Sequence, residues 1–229
     1  YIRCCRYIDN FISVAALRTK PALFAGVGLL SAGLFANLVS GGSAPLSSVR
    51  TASTSSDAMT NEKANKAKPK LVVFDLDFTL WPQHVDSTVD PPLRKDKHGN
   101  VFDSYGQAIK PFPEVPALLE HLRAEGYQIA AASRTDAPPV ANQLIKLLDW
   151  DRFFDYREIY PGRKTRHFEQ FRQASGHEFS DMIFFDDEMR NIRDISGLGV
   201  TAIFVNSEGM TQRLFEEGVA EWRKKNARL

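Results

Sequence analysis

The sequence predicts an α/β fold, a parallel sheet with helices on both faces. Three observations predict it. Short all-apolar runs such as Leu71-Val72-Val73-Phe74 have the composition of strands covered on both sides. Amphipathic helical stretches separate these runs with regular alternation, the pattern of successive strand-helix-strand units. Acids and hydroxyls stand at the carboxyl ends of the runs, where parallel sheets of this kind carry their sites.

Leu71 to Phe74 is the first strand and ends in Asp75. Trp81 to Phe112 holds paired apolar stretches around a turn at Lys97-His98-Gly99-Asn100. It reads as a minimal β-hairpin flap, too short for a full cap domain. Glu114 to Gly126 places Val115, Leu118, Leu119 and Leu122 on one helical face and stops at a glycine. Tyr127 to Ala132 is a strand, Ala137 to Leu148 a helix, Glu158 to Tyr160 a short strand and Lys164 to Ala174 a helix. Met182 to Phe185 and Thr201 to Val205 are strands on either side of a helix over Glu188 to Ile195, and a last helix runs from about Met210 to Trp222.

The 229 residues, 43% hydrophobic and 25% charged, suffice for one domain of ordinary size and an additional segment. We divide them into a globular part over 69–229 and an N-terminal segment over 1–68. The net charge of +1 conceals an asymmetry: residues 1–68 hold eight Lys/Arg and three Asp/Glu, whereas 69–229 hold 21 and 25. The globular part is mildly acidic and has no long basic run, which argues against nucleic acid as a partner. Cys4 and Cys5 are the two cysteines. The globular part therefore has no disulfide framework, no Cys-ligated zinc and no cysteine nucleophile. Pro21 to Ser40 is an uncharged, apolar 20-residue run, long enough to span a bilayer. Three readings stand open for it: a signal anchor, an organelle-targeting presequence, or a segment not translated natively, with Met59 as the start. A membrane is a partner only where this segment is retained. The globular domain is expected to be cytoplasmic, with mitochondrial or other organelle placement, or anchoring through residues 21–40, as alternatives.

The chemistry lies at the strand ends. Asp75-Leu76-Asp77-Phe78-Thr79 follows the first strand, Ser133-Arg134-Thr135 the second, and Asp186-Asp187-Glu188 the strand from Met182. Lys164 opens a helix after Pro161-Gly162. Taken singly, each has an ordinary explanation as a turn, a helix cap or a solvated lysine. Together they bring four carboxylates, a hydroxyl and an ammonium to one edge of the sheet. Carboxylates gathered there repel one another, and a hard cation such as Mg²⁺ relieves the repulsion while accepting phosphate oxygens.

These residues resemble the haloacid dehalogenase superfamily of aspartate-nucleophile phosphohydrolases. Its four motifs match Asp75-Leu76-Asp77-Phe78-Thr79, Ser133, Lys164, and Asp186-Asp187 with Asn191. Within it the chain is similar to the magnesium-dependent phosphatase family, through FDLDFTLWP (Phe74 to Pro82), VDPP (Val89 to Pro92), AASRT (Ala131 to Thr135), REIYPG (Arg157 to Gly162) and FFDDE (Phe184 to Glu188). The likeness covers about residues 69–222 and departs at the basic stretch Arg163-Lys164-Thr165-Arg166, a sign of altered substrate preference.

The resemblance implies a Rossmann-like, HAD-like fold and a Mg²⁺-dependent phosphatase that hydrolyses phosphate monoesters. Asp75 is then the nucleophile and Asp77 the acid and base. Mg²⁺ is held by the Asp75 carboxylate, the Asp77 carbonyl and Asp187, with Asp186 behind them. Lys164 and Ser133 bind phosphoryl oxygens. Thr79 orients Asp77 or the loop, Asn191 holds Lys164 or a metal-bound water, and Trp81, His84 and Arg134 lie near the phosphate. Trp81 has core packing as its competing reading, and His84 has an ordinary place in the flap. The substrate is a phosphorylated protein, phosphotyrosine above all, or a small ester such as a phosphosugar. A phosphate-binding scaffold without turnover and a membrane-tethered phosphatase selected by location remain as alternatives.

Overall fold

The computed structural model describes residues 68–227. The N-terminal segment up to residue 67, on which the three readings of the run over residues 21–40 and the alternative start at Met59 fall, lies outside them. Among the described residues no helix is long and apolar enough to cross a membrane.

Five strands form the expected parallel sheet: β1 (Leu71–Phe74), β5 (Gln128–Ser133), β6 (Tyr156–Ile159), β7 (Met182–Asp186) and β8 (Thr201–Phe204), in the spatial order β6-β5-β1-β7-β8. All four pairings are parallel. The central strand β1 is wholly buried, which is why its sequence does not alternate. The two-residue period nevertheless sorts its side chains. Val72 and Phe74 join one hydrophobic cluster with Ile129, Ala131, Ile183 and Phe185. Leu71 and Val73 join the other with Ala130, Ala132, Met182 and Phe184.

Helices close each face. The helices α1 (Val115–Ala124), α2 (Pro138–Leu147) and α5 (Gln212–Asn226) bury Leu118 and Leu122, Leu144 and Ile145, and Val219 and Trp222 in the first cluster. The helices α3 (Lys164–Ser175) and α4 (Met189–Ser196) bury Phe168, Phe171 and Ile195 in the second. The observed ends differ from the expected ones by a few residues, for local reasons. α3 stops where Gly176 turns left-handed at φ 70°. α5 begins after Thr211, whose Oγ1 accepts from the Leu214 N–H at 3.1 Å, and then runs on through a basic last turn. β6 starts earlier than expected, at Tyr156, because an edge strand tolerates the half-buried Arg157 and Glu158.

The segment expected to be a simple hairpin is a three-stranded antiparallel meander of β2 (Arg94–Lys95), β3 (Val101–Phe102) and β4 (Ala108–Ile109). Its first turn is the one around Gly99, closed by Asp96 Oδ1 accepting from the N–H groups of His98 and Asn100. A second Asx turn at Asp103, accepting from Tyr105 and Gln107, folds the chain back once more. Leu93, Val101 and Ile109 sink into the first hydrophobic cluster, so the flap is packed onto the domain.

The loop after β1 is tied down from two sides. The N–H of Met210 donates to the Thr79 carbonyl at 3.0 Å, and that of Phe112 to the Leu80 carbonyl at 3.0 Å. Gly209 lies between these ties at φ +73°, and a Cβ there would stand 2.2 Å from the Phe112 ring. Gly209→Ala is therefore expected to lower stability by roughly 1–3 kcal/mol, seen as a fall in Tm of several degrees in calorimetry. Gly126→Ala, at φ +72° in open space, carries backbone strain alone and should lose clearly less.

Candidate active site

The first strand ends in a tight loop that aims two carboxylates at the same place. The Asp75 N–H still pairs with the Phe185 carbonyl of β7 at 2.9 Å, and the Leu76 carbonyl then accepts from Leu80 at 2.8 Å. Phe78, left-handed at φ 55°, reverses the chain between them. Asp75, Asp77, Ser133, Arg134, Lys164 and Asp187 line one open cavity of about 310 Å³ at the carboxyl edge of the sheet, and His84 and Asn191 border it. The edge reading of the sequence thus brings these eight residues together.

Lys164 sits at the floor. Its side chain is 1% exposed, and its Nζ donates to Asp75 Oδ1 and, at 2.6 Å, to Asp186 Oδ2. Burial alone would discharge it, but the two carboxylates outweigh burial and hold its pKa above the ordinary lysine value. Burial also pushes Asp75 well above the usual carboxylate range; Lys164 opposes that shift and Asp186 adds to it. Asp186 is fully buried and fully bonded. Its Oδ1 accepts from the Glu188 N–H at 2.7 Å, and Asn191 Nδ2 reaches both its oxygens at 3.0 and 3.1 Å. Asn191 therefore holds Asp186, and not Lys164 as one reading of the sequence had it.

Asp77 stands on the other wall. Its Oδ1 accepts from Trp81 Nε1 at 2.7 Å and its Oδ2 from the Val85 N–H at 3.3 Å, with His84 Nδ1 at 3.9 Å. Burial raises its pKa, and the bonds from Trp81 and Val85 offset part of the rise. The expected place of Trp81 near the phosphate is corrected here, in favour of its competing reading as core packing, and Thr79 does not reach the site. Trp81 is 0% exposed and stacks 6.2 Å from Trp150, so it packs in the core and reaches the site only through its bond to Asp77. Thr79 is equally buried, and its Oγ1 has no partner and does not border the cavity.

Ser133 is buried at the end of β5, where its Oγ accepts from the Thr135 N–H at 3.3 Å. Arg134 spans the rim, donating from Nε to the Gly162 carbonyl at 2.6 Å and from Nη1 to Glu188 at 3.2 Å. The sequence reading missed Asp86, Thr135 and Arg190, all of which border the cavity. Thr135 had a signal, since it caps the turn into α2 directly after Ser133, with Oγ1 accepting from Ala137 at 3.1 Å and donating to Asp86. Asp86 and Arg190 lie outside the strand-end pattern and had none.

The acids fit a hard divalent cation. Asp75, Asp186 and Asp187 each offer an oxygen within 4.8 Å of the others, and all-oxygen donors suit Mg²⁺. Burial, and next the charge of Asp186, push Asp187 up to about 6. That is the repulsion a cation would relieve. Because Lys164, Asn191 and the Glu188 N–H already engage Asp186, Asp75 and Asp187 are the side chains left to face a metal.

Comparison with known proteins follows the same lines. The profile of the Acid Phosphatase family matches residues 67–225. Magnesium-dependent phosphatase 1 of Homo sapiens is 51% identical over 156 residues, spanning 68% of this chain and 88% of that protein. A HAD-like hydrolase superfamily protein of Schizosaccharomyces pombe is 39% identical over 144 residues, 58% of this chain and 83% of its own length. Among solved structures, the N-terminal part of a Bacteroides fragilis protein, containing a phosphatase domain complexed with Mg, matches with a TM-score of 0.51. At 16% identity, over 67% of this chain and 40% of that one, this likeness concerns the fold alone.

One turn along α3 from Lys164, His167 supports the floor. It is 0% exposed, its Nε2 bonds the Tyr160 carbonyl at 3.1 Å, and its Nδ1 is buried without a partner. Burial, reinforced by the nearby charges of Lys164, Arg134 and Arg166, lowers its pKa to about 4. Below the ordinary value of 6.5 the unfolded chain binds a proton that the folded one refuses. The stabilisation is therefore complete above pH 6.5 and is lost as pH falls toward 4, by roughly 3 kcal/mol from this group. Tm measured across that window should fall more steeply for the natural protein than for His167→Gln, whose amide keeps the bond to Tyr160 and does not titrate.

Proposed function

The chain belongs to the Acid Phosphatase family and is a Mg²⁺-dependent phosphatase of HAD-like fold; from that premise we propose that it hydrolyses phosphate monoesters through an aspartyl-phosphate on Asp75. The observation that carries this reading is the Asp75 carboxylate held by a buried Lys164 at the floor of an open cavity, with the Asp77 carboxylate on its wall. One oxygen of Asp75 is fixed by the ammonium and the other is left for attack. A cavity of about 310 Å³ beside a small flap suits a phosphotyrosine side chain projecting from a protein as well as a phosphosugar, and these are the substrate classes we propose.

In the first step Asp75 forms a bond to phosphorus while the bond to the ester oxygen breaks, and protonated Asp77 gives its proton to the departing alcohol or phenol. In the second, Asp77 takes a proton from water, the resulting hydroxide bonds to phosphorus, and Asp75 leaves as carboxylate. Burial of Asp77 raises its pKa and favours the protonated form that the first step needs. Lys164 and Ser133 hold the phosphoryl oxygens, and because Lys164 is already dehydrated no water has to be stripped from it when the ester binds. Asp75, Asp187 and the Asp77 carbonyl would hold Mg²⁺, which when bound offsets the charge of the phosphoryl group. Trp81 keeps Asp77 pointed into the cavity, and Arg134 and His84 line the approach.

Hydrolysis of an aryl phosphate by the full chain, with and without Mg²⁺, tests the reading. Activity should require the metal and fall about a thousandfold or more in Asp75→Asn protein that remains folded. Turnover undiminished in that variant would remove Asp75 as nucleophile, and tight phosphate binding without turnover would instead favour a binding module. Asp77→Asn should lose more activity on alkyl than on aryl phosphates, because the poorer leaving group needs the proton more. Trp81→Phe should lower kcat about tenfold through misalignment of Asp77, with the same bias toward aryl esters and little change in KM.

A further inference from the structure

Beside the catalytic cavity a second groove of about 300 Å³ runs between the start of α3 and the first turns of α4, lined by Arg134, Arg163, Arg190, Asn191 and Asp194. Arg134, Arg190 and Asn191 border both spaces, so the groove opens from the cavity rim. We propose that this groove is a second anion-binding subsite and that the preferred substrates carry a further negatively charged group, a carboxylate or a second phosphate, close to the phosphate that is removed. The inference rests on the phosphatase reading and specifies its substrate class.

The charge balance of the groove supports this. Three guanidiniums meet two carboxylates: Glu188 accepts from Arg134 at 3.2 Å and from Arg190 at 2.9 Å, and Asp194 accepts from Arg163 at 3.2 Å. A net positive charge therefore remains. Each guanidinium has five N–H donors in a planar fork that matches carboxylate and phosphate oxygens. The side chains of Arg163 and Arg190 are 74% and 62% exposed, which leaves most of their donors facing solvent. The acids act as tethers that keep the cations over the groove, in the way paired acids preorganise arginines elsewhere.

The catalytic reading has no use for Arg163. It precedes Lys164 at the cap of α3, with extended backbone, and points along the surface while Lys164 points into the floor. The other arginine of the basic stretch, Arg166, stacks over the Tyr160 ring at 5.4 Å instead. Only Arg163 thus adds charge to the groove from this stretch, and the departure at Arg163 noted in the sequence acquires a physical purpose. An anion bridging Arg163 and Arg190 would lie next to Arg134 at the cavity rim, so the two anionic groups of the substrate would be close neighbours.

The test uses the full chain with Mg²⁺ and substrates in matched pairs. One pair is a phosphotyrosine peptide with glutamate or with alanine beside the phosphoresidue; the other is a sugar bisphosphate and the monophosphate of the same sugar. We expect kcat/KM to favour the doubly anionic member of at least one pair by about tenfold, mostly through KM, and the preference to shrink as salt rises from about 0.05 to 0.5 M. Arg163→Ser should reduce the preference severalfold and Arg163→Glu abolish it, while activity on a plain aryl phosphate stays unchanged. A preference confined to one pair identifies the source of the second anion. Equal kcat/KM within both pairs, or a preference unaltered by Arg163→Glu, would overturn the subsite. Affinity of the same pairs for Asp75→Asn protein, measured by calorimetry, repeats the comparison without turnover. Equal affinities there would reject the subsite on their own. Loss of all hydrolysis by the natural protein would reject the phosphatase reading and leave the binding comparison to decide this one.

Discussion

The ammonium of Lys164, placed between the carboxylates of Asp75 and Asp186 where almost no water reaches it, governs how this domain is assembled. A charge in such a place costs several kcal/mol to desolvate, and it is tolerated only if opposite charges arrive with good geometry. Two neighbouring strands deliver them. β1 and β7 pair in parallel with Phe74 opposite Phe185, so the next residues, Asp75 and Asp186, emerge side by side. The lysine has to enter from a third direction. Gly162, at φ +129°, turns the chain after β6 so that α3 begins on Lys164 itself. Strand register, crossover and helix start all answer to this one triad. His167, buried one turn farther along α3 against Tyr160, fixes the rotation of the helix that carries it.

The same arrangement divides labour between two adjacent acids. Asp186 has both oxygens engaged by Lys164, Asn191 and the Glu188 N–H, so it is held as the partner of Lys164. Asp187 feels the charge of Lys164 only weakly against its burial and the charge of Asp186, which hold its pKa up near 6. An acid that ionises reluctantly without a cation is one whose ionisation a cation would favour. Sequence order alone does not separate Asp186 from Asp187; the alternation of side chains at the end of a strand does, by turning one toward α3 and the other toward the cavity.

How much of this the residues disclosed depends on the range of the interaction. The parallel sheet and its edge were legible because a doubly covered strand must be apolar throughout, as Leu71 to Phe74 and Met182 to Phe185 are. Asp75, Ser133, Lys164 and Asp187 were legible because each lies next to a strand end or helix start. Trp81 was placed near the phosphate with core packing as its competing reading, and Thr79 was given the orientation of Asp77 or the loop; the loop that reverses at Phe78 carries both inward. The second turn of the flap depends on Asp103 accepting from Tyr105 and Gln107, a local signal overshadowed by the glycine turn before it. Asp86 and Arg190 had no local signal, because they meet the site only through tertiary contact.

The flap decides where selectivity must reside. Leu93, Val101 and Ile109 anchor it in the main hydrophobic cluster, so each would have to leave buried contacts, at about 1.5–3 kcal/mol apiece, for the flap to swing. The stretch before the meander supplies His84, Asp86 and Ser87 to the cavity lining, and a meander fixed in this way does not close over the site as a lid. In the floor, Lys164 and Asp186 are already dry before any ester binds. In the proposed mechanism every catalytic group addresses the phosphoryl group or the leaving oxygen, and none addresses the rest of the ester. Discrimination among esters then falls to what lies outside the floor, where Arg134, Arg163 and Arg190 line the adjoining groove. Surface charges of this kind give little affinity singly, and their strength comes from being tethered in a row by Glu188 and Asp194. With the flap anchored, the proposed selectivity rests on charge at the rim and not on closure.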